Sequence, residues 1–253
     1  MTDRHFDQMG THFARKIYAS NKGAIRLAVL CRDLEQWLPD NGPLRVLDVG
    51  AGLGHIGDWL ARRGHRLTLS DPSAEMLEAC RERLSDLPPT WVDFLQSSLQ
   101  ALPDGLRDFD LLVCHAVLEW LADPQAAITQ LAARLRPGGC LSLAFYNRDA
   151  LIYRNLLKGQ FRKIDKGRLA GSKRSLTPQQ PLDPRQVADW VAASGLHLQG
   201  QSGIRVFHDY MPDEFRHQSS LTELLEQELR YSRHPAYAPL GRYLHWWLVK
   251  PKA

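Results

Sequence analysis

The chain has 253 residues, 44% of them hydrophobic and 24% charged, which is ordinary globular composition and enough for one sizeable domain. No uninterrupted apolar run reaches the roughly 18 residues of a spanning helix. The opening "MTDRHFDQMGTHFARK" has no apolar core of the kind a secretory leader carries, so the cytoplasm is expected and no membrane partner is. The net charge of +4 is uneven: residues 1–150 carry 16 Lys/Arg and 19 Asp/Glu, whereas residues 151–253 carry 16 and 9.

In chain order, "KGAIRLAVL" (22–30) reads as an amphipathic helix within an N-terminal helical segment, 1–40. From residue 44, short β-branched or Leu-rich runs alternate with amphipathic stretches, the pattern of a parallel sheet with crossover helices. "LRVLDVG" (44–50), "HRLTLSD" (65–71), "WVDFLQ" (91–96), "FDLLVCHA" (109–116) and "GGCLSLAFYN" (138–147) are the expected first five strands. Helices are expected at "HIGDWLARRG", at "SAEMLEACRERL" with Ser73 as its cap, and at "PQAAITQLAARL". Beyond residue 180, "DPRQVADWVAASG" reads as a helix stopped by Gly195, and "LHLQGQSGIRVFHDY" (196–210) as one long extended run. A polar helix "SLTELLEQELRYSR" and a last strand "RYLHWWLVK" (242–250) follow, with an antiparallel pair closing one sheet edge. Residues 151–180, rich in Gly, Lys and Arg and poor in apolar periodicity, read as an insert in a single domain spanning 1–253.

Cys31, Cys80, Cys114 and Cys140 stand singly, without metal-ligand spacing, so packed reduced thiols and no metal are expected. "VLDVGAGLGH" puts Gly50, Gly52 and Gly54 at a strand-to-helix turn, where backbone N–H groups can approach a ligand. A nicotinamide fingerprint would need its third glycine where His55 stands. The G-x-G-x-G spacing instead resembles class I S-adenosylmethionine-dependent methyltransferases. Asp71, 21 residues after Gly50, ends the second strand, where its carboxylate could accept from ribose hydroxyls or cap the helix at Ser73. The Pro-Gly-Gly turn of "LRPGGCLSL" fits the same class. His115 lies at the carboxyl edge of the sheet, as a ligand contact or as an imidazole holding the 115–124 loop through a backbone bond. Arg26 could pair with the cofactor's methionine carboxylate.

Six strings, "DRHFD", "IYASNKGAIR", "HAVLEWLADP", "LSLAFYN", "GIRVFHDY" and "LGRYLH", together resemble the bacterial tRNA 5-carboxymethoxyuridine methyltransferase family over nearly the whole chain. The resemblance implies a class I methyltransferase fold, Rossmann-like, with an antiparallel last strand. It implies methyl transfer from S-adenosylmethionine to the carboxylate of 5-carboxymethoxyuridine at the wobble position of tRNA. The implied cofactor contacts are Arg26, Gly50, Ala51, Gly52, Asp71, Leu99, Gln100 and His115, those at Leu99 and Gln100 through backbone N–H. A carboxylate is ionised at neutral pH, so no general base is needed. Candidates to clamp it are Arg205, Tyr146, Asn147, Arg242 and Tyr243, each of which could equally be a structural contact; His208 and Asp209 are a candidate supporting pair or a strand-end turn.

The strip "RNLLKGQFRKIDKGRLAGSKRS" (154–175) supplies Arg154, Lys158, Arg162, Lys163, Lys166, Arg168, Lys173 and Arg174 against one acid, Asp165. It is the expected phosphate-binding surface for the anticodon region, with Tyr153 and Phe161 able to stack bases. A monomer is expected. The alternatives are a small-molecule methyltransferase, with the insert as a lid, and a non-catalytic RNA-binding protein of this fold.

Overall fold

The structure is a computed structural model that describes residues 20–40, 42–167, 169, 178 and 180–252. Helix α1 (Asn21–Trp37) precedes β1 (Arg45–Val49), and α2 (His55–Ala61) leads to β2 (Arg66–Asp71). Then come α3 (Ala74–Arg83), β3 (Val92–Gln96), β4 (Phe109–His115), α4 (Pro124–Arg134) and β5 (Leu135–Tyr146). The C-terminal part adds α5 (Arg148–Leu157), α6 (Phe161–Asp165), α7 (Pro184–Ala193), β6 (His197–Ile204), α8 (Asp213–Gln218), α9 (Leu221–Tyr231) and β7 (Tyr243–Val249). The seven strands lie in the order β3-β2-β1-β4-β5-β7-β6, and β7 is antiparallel to both its neighbours.

Central strands β1 and β4 are buried along nearly their whole length, because both their faces are covered, as parallel sheets require. Val46 and Leu111 pack with Val29, Leu34 and Leu60 of α1 and α2 on one face, whereas Leu47 and Leu112 pack with Ile128, Leu131 and Val187 of α4 and α7 on the other. The chain runs outward from β1 to β3 on one side and from β4 on the other. The crevice beyond the carboxyl ends of β1 and β4 is therefore a topological switch point, where open α/β sheets seat ligands.

Two expectations are corrected. The extended run of 196–210 ends at Ile204: Arg205 has φ of 61°, and the Glu228 carboxylate of α9 accepts from the backbone N–H groups of Val206 (2.8 Å), Phe207 (3.3 Å) and His208 (2.9 Å). These donors would otherwise seek a strand partner, so the buried acid ends the ladder. The insert expected from 151 is helical in its first part. The Asn147 side chain caps α5 by accepting from the N–H of Asp149 (3.0 Å), and Ala150, Leu151 and Asn155 anchor one narrow face. Apart from the half-buried Ile152, everything else on that helix is polar or exposed, which is why the apolar period is faint in the sequence.

Candidate active site

The turn after β1 is built from backbone. Gly50 and Ala51 donate their N–H groups to the Ser70 carbonyl (2.8 and 3.0 Å), locking β1 to β2. Gly50 has φ of 71°, and a Cβ there would lie 2.5 Å from Cγ2 of Val117, so only glycine fits. Gly54, with φ of 72°, opens α2 against Cys80, whose Sγ would be 2.8 Å from an added Cβ. The Asp71 carboxylate accepts from the Gly52 N–H (3.0 Å) and the Ser73 N–H (2.9 Å), so it both holds the loop and supports the start of α3. A carboxylate has further acceptor sites beyond these two.

Beside this loop is a cavity lined in part by Arg26, Asp48, Gly50, Ala51, His55 and His115. Burial, reinforced by the charge of Asp71, pushes the Asp48 carboxyl up to about 7, and Arg26 opposes the rise. Burial and then Arg83 push His55 down to about 4. The lining does not include Leu99 or Gln100: the Leu99 side chain is in the core and Gln100 is exposed on a short turn. That turn follows β3, whose exit is tied to β2 by Ser97 N–H donating to the Asp71 carbonyl (3.1 Å).

His115 is buried, and its partner is a side chain, Ser142 Oγ, at 2.8 Å from Nε2; the loop-holding backbone bond expected as an alternative is not the bond the ring makes. Its Nδ1 has no partner. Its carbonyl accepts from Arg26 Nη2 at 3.4 Å, and the next residue, Ala116, is held at φ of 60°. Non-glycine residues in this region of backbone space store strain, and such strain gathers at functional sites. Arg205 is another.

Arg26 connects this cavity to a second cluster. Its guanidinium lies 5.5 Å from the ring centre of Tyr243, and Arg205 lies 5.6 Å from the same ring. Arg242 stands 4.8 Å from the Tyr146 ring, and the two tyrosine rings meet edge-on at 5.2 Å. Arg205 and Arg242 both reach Oδ2 of Asp209 at 3.6 Å, so one buried carboxylate is shared by two guanidiniums. Burial opposes the charge on Asp209, yet Arg205, the His208 bond (3.3 Å) and Arg242 hold its carboxyl well below the usual range. Nε of Arg205 and Nη1 of Arg242 are buried without partners. Lys22 adds to the positive field: burial first, offset by Asp209, then Arg205 and its other cationic neighbours lower its pKa.

Asn147 leaves the set of clamp candidates. Its amide N–H groups donate to the carbonyls of Pro239 (2.8 Å) and Gly241 (2.9 Å), and its oxygen caps α5, so its bonding capacity is spent on the turn. Glu119 was missed. It is fully buried, neither carboxylate oxygen has a hydrogen-bond partner, and burial pushes it up to about 7, with the charge of Arg26 opposing the rise. The only sequence signal was an acid inside the apolar "HAVLEWL".

Lys158, Arg162, Lys163 and Lys166 are exposed along α5 and α6, with Leu157 and Phe161 each 59% exposed among them. Arg154 turns inward instead, donating from Nε to the Asp209 carbonyl (3.3 Å). Arg168, Lys173 and Arg174 lie outside the described residues. Among the described residues no group of three or more His, Cys, Asp or Glu could hold a metal ion, and no helix is long and apolar enough to cross a membrane.

A parallel sheet with an antiparallel strand beside β5, a glycine turn and an acid ending β2 define a class I methyltransferase. A methyltransferase domain model matches residues 47–141. The tRNA 5-carboxymethoxyuridine methyltransferase of Escherichia coli (strain K12) is 40% identical over 100% of this chain and 98% of its own length. A ubiquinone biosynthesis O-methyltransferase of Xylella fastidiosa (strain 9a5c) is 32% identical over 71% of this chain and 69% of its own. Magnesium protoporphyrin IX methyltransferase from Synechocystis PCC 6803, solved with SAH bound, shares the fold with a TM-score of 0.65 at 17% identity, covering 97% of this chain and 96% of that one. The chain belongs to the tRNA 5-carboxymethoxyuridine methyltransferase family.

Proposed function

We propose that this protein methylates the carboxylate of 5-carboxymethoxyuridine at the wobble position of tRNA, forming the methyl ester, as a monomer in the cytoplasm. The observation that carries the reading is the pair Arg205 and Arg242: two nearly buried guanidiniums share one carboxylate, keep unpartnered N–H groups, and stand next to the cofactor cavity through Arg26 and Tyr243. Their surplus positive charge suits one further carboxylate.

S-adenosylmethionine supplies the methyl group, activated by a sulfonium charge. The residues fit that cofactor: the Gly50 turn admits close backbone approach, the Asp71 carboxylate holds that turn from the end of β2, and Arg26 and the unpartnered Nδ1 of His115 suit the two ends of an amino acid. With a reference pKa near 3.5 to 4, the substrate carboxylate is already the nucleophile, and no proton has to be removed. The task left to the chain is alignment, which contributes on the order of 7–11 kcal/mol in well-oriented reactions. Arg205 and Arg242 would orient the carboxylate, with Tyr146 and Tyr243 walling it from water and Asp209 fixing the arginines. Lys158, Arg162, Lys163 and Lys166 on the basic insert 151–180 would grip phosphates of the anticodon region, and Tyr153 and Phe161 would stack bases.

Nucleoside mass spectrometry of tRNA from cells lacking the protein tests this directly. The methyl ester should vanish and its free acid accumulate; an unchanged ester content would refute the proposal and favour a small-molecule acceptor.

A further inference from the structure

A row of buried polar groups crosses the sheet beside the cofactor cavity and has no role in clamping the substrate. Asp33 of α1 is fully buried, with Oδ2 2.7 Å from Nδ1 of His245 on β7. Nε2 of His245 lies 2.7 Å from Oγ of Ser142 on β5, and the same hydroxyl lies 2.8 Å from Nε2 of His115 at the end of β4. The row stops at Nδ1 of His115, which is buried and unpartnered in a residue that lines the cavity.

Strand register brings these groups together. Ala144 is opposite His115 on β4 and opposite His245 on β7, and its small side chain leaves the two rings edge-on at 5.4 Å. Ser142, two residues earlier on β5, shares that face. An apolar row would pack here at no desolvation cost, so the polar one needs a reason.

The polarity of the row follows from its far end. Burial opposes the charge on Asp33, but the bond from His245 and the charge of Arg32 hold its carboxyl below the usual range, and Arg233 reaches it at 2.6 Å. A carboxylate only accepts, so Nδ1 of His245 donates. With Nδ1 donating, Nε2 of His245 is left to accept from the Ser142 hydroxyl, and that oxygen accepts from Nε2–H of His115. Burial, with the charge of Arg26, holds the His115 ring neutral, which leaves Nδ1 a bare lone pair.

We infer that Asp33, His245 and Ser142 are positioning residues that fix the tautomer of His115, so that its Nδ1 accepts an N–H from the cofactor's α-ammonium group while Arg26 takes the neighbouring carboxylate. The inference rests on the cofactor seat proposed above. It is a static device: methylation of an ionised carboxylate releases no proton for the row to carry.

Nitrogen-15 spectra of the protein without ligand, with the His115 signals assigned by their loss in His115→Gln, are expected to show Nδ1 unprotonated and Nε2 protonated. Ser142→Ala should populate the other tautomer and weaken S-adenosylhomocysteine binding about tenfold by calorimetry. Ser142→Thr, which returns the hydroxyl, should restore both. A protonated Nδ1 in the unsubstituted protein overturns the inference, and that measurement requires neither a variant nor a ligand. So does weaker binding in Ser142→Ala with the tautomer unchanged, or a changed tautomer with binding intact. Failure of the unsubstituted protein to bind S-adenosylhomocysteine at all would overturn the cofactor seat, and this inference with it.

Discussion

The turn between β1 and α2 and the arginine cluster around Asp209 do comparable work in opposite ways. The first is made of backbone: N–H groups, positive φ angles and one carboxylate, nearly all within residues 48–73. The second is made of side chains from α1, the end of β5, the segment 205–209 after β6, and the start of β7, brought together only by folding. A site that recognises a cofactor through its backbone tolerates little change in chain geometry. A site that recognises a charged group through long side chains depends on where distant segments dock.

The sharpest way to break that contrast is Gly50→Val. An L-residue at φ of 71° with its Cβ 2.5 Å from Val117 adds backbone strain to overpacking, together about 2–4 kcal/mol. Calorimetric affinity for S-adenosylhomocysteine should fall on the order of a hundredfold while tRNA binding persists; intact cofactor affinity would show that the backbone turn is not the seat. Arg205→Met should do the reverse. Loss of hydrogen bonds to a charged group predicts a kcat/KM for tRNA methylation lower by about ten- to a hundredfold, with S-adenosylhomocysteine affinity unchanged. If both fall together, the two regions are one site.

A smaller effect is expected from replacing Lys158, Arg162, Lys163 and Lys166 together by Gln. The Michaelis constant for tRNA should rise about tenfold, and the salt slope should flatten by about 0.7–0.9 for every phosphate that the variant no longer neutralises. An unaltered slope would reduce the strip to a solvated face. The smallest effect concerns the acid beneath the cofactor turn. Asp48 has its folded pKa raised from 3.8 to about 7, so the folded protein binds the extra proton and stability falls as pH rises through that window. Asp48→Asn should therefore raise the thermal midpoint of the ligand-free protein at pH 8 by a few degrees, with little change at pH 4. A midpoint lowered at both pH values would mean that the carboxylate is paired, not stranded.

The glycine turn and Asp71 were legible because their geometry is local: a strand, a tight turn and a helix start within a few residues, where steric rules act on neighbours along the chain. The first five strands were legible for the same reason. The end of β6 was not, since the acid that terminates it, Glu228, comes from the next long helix and offers no signal near Arg205. Glu119 and the turn-holding role of Asn147 were hidden likewise, one by an apolar context and the other by carbonyls more than 90 residues away.

By itself the sequence determined the order of the strands and of the helices between the first five, the cofactor turn and, through its resemblance to relatives, the chemistry to look for. Only the tertiary structure decided that β7 lies between β5 and β6 and which of its side chains face which way. "YLHWWLV" is apolar on both faces, so no alternation marks His245 as facing Asp33 and Ser142 while Trp246 joins the opposite core. A slip of one residue would exchange the two, and the pairing register that prevents it is a property of the assembled sheet.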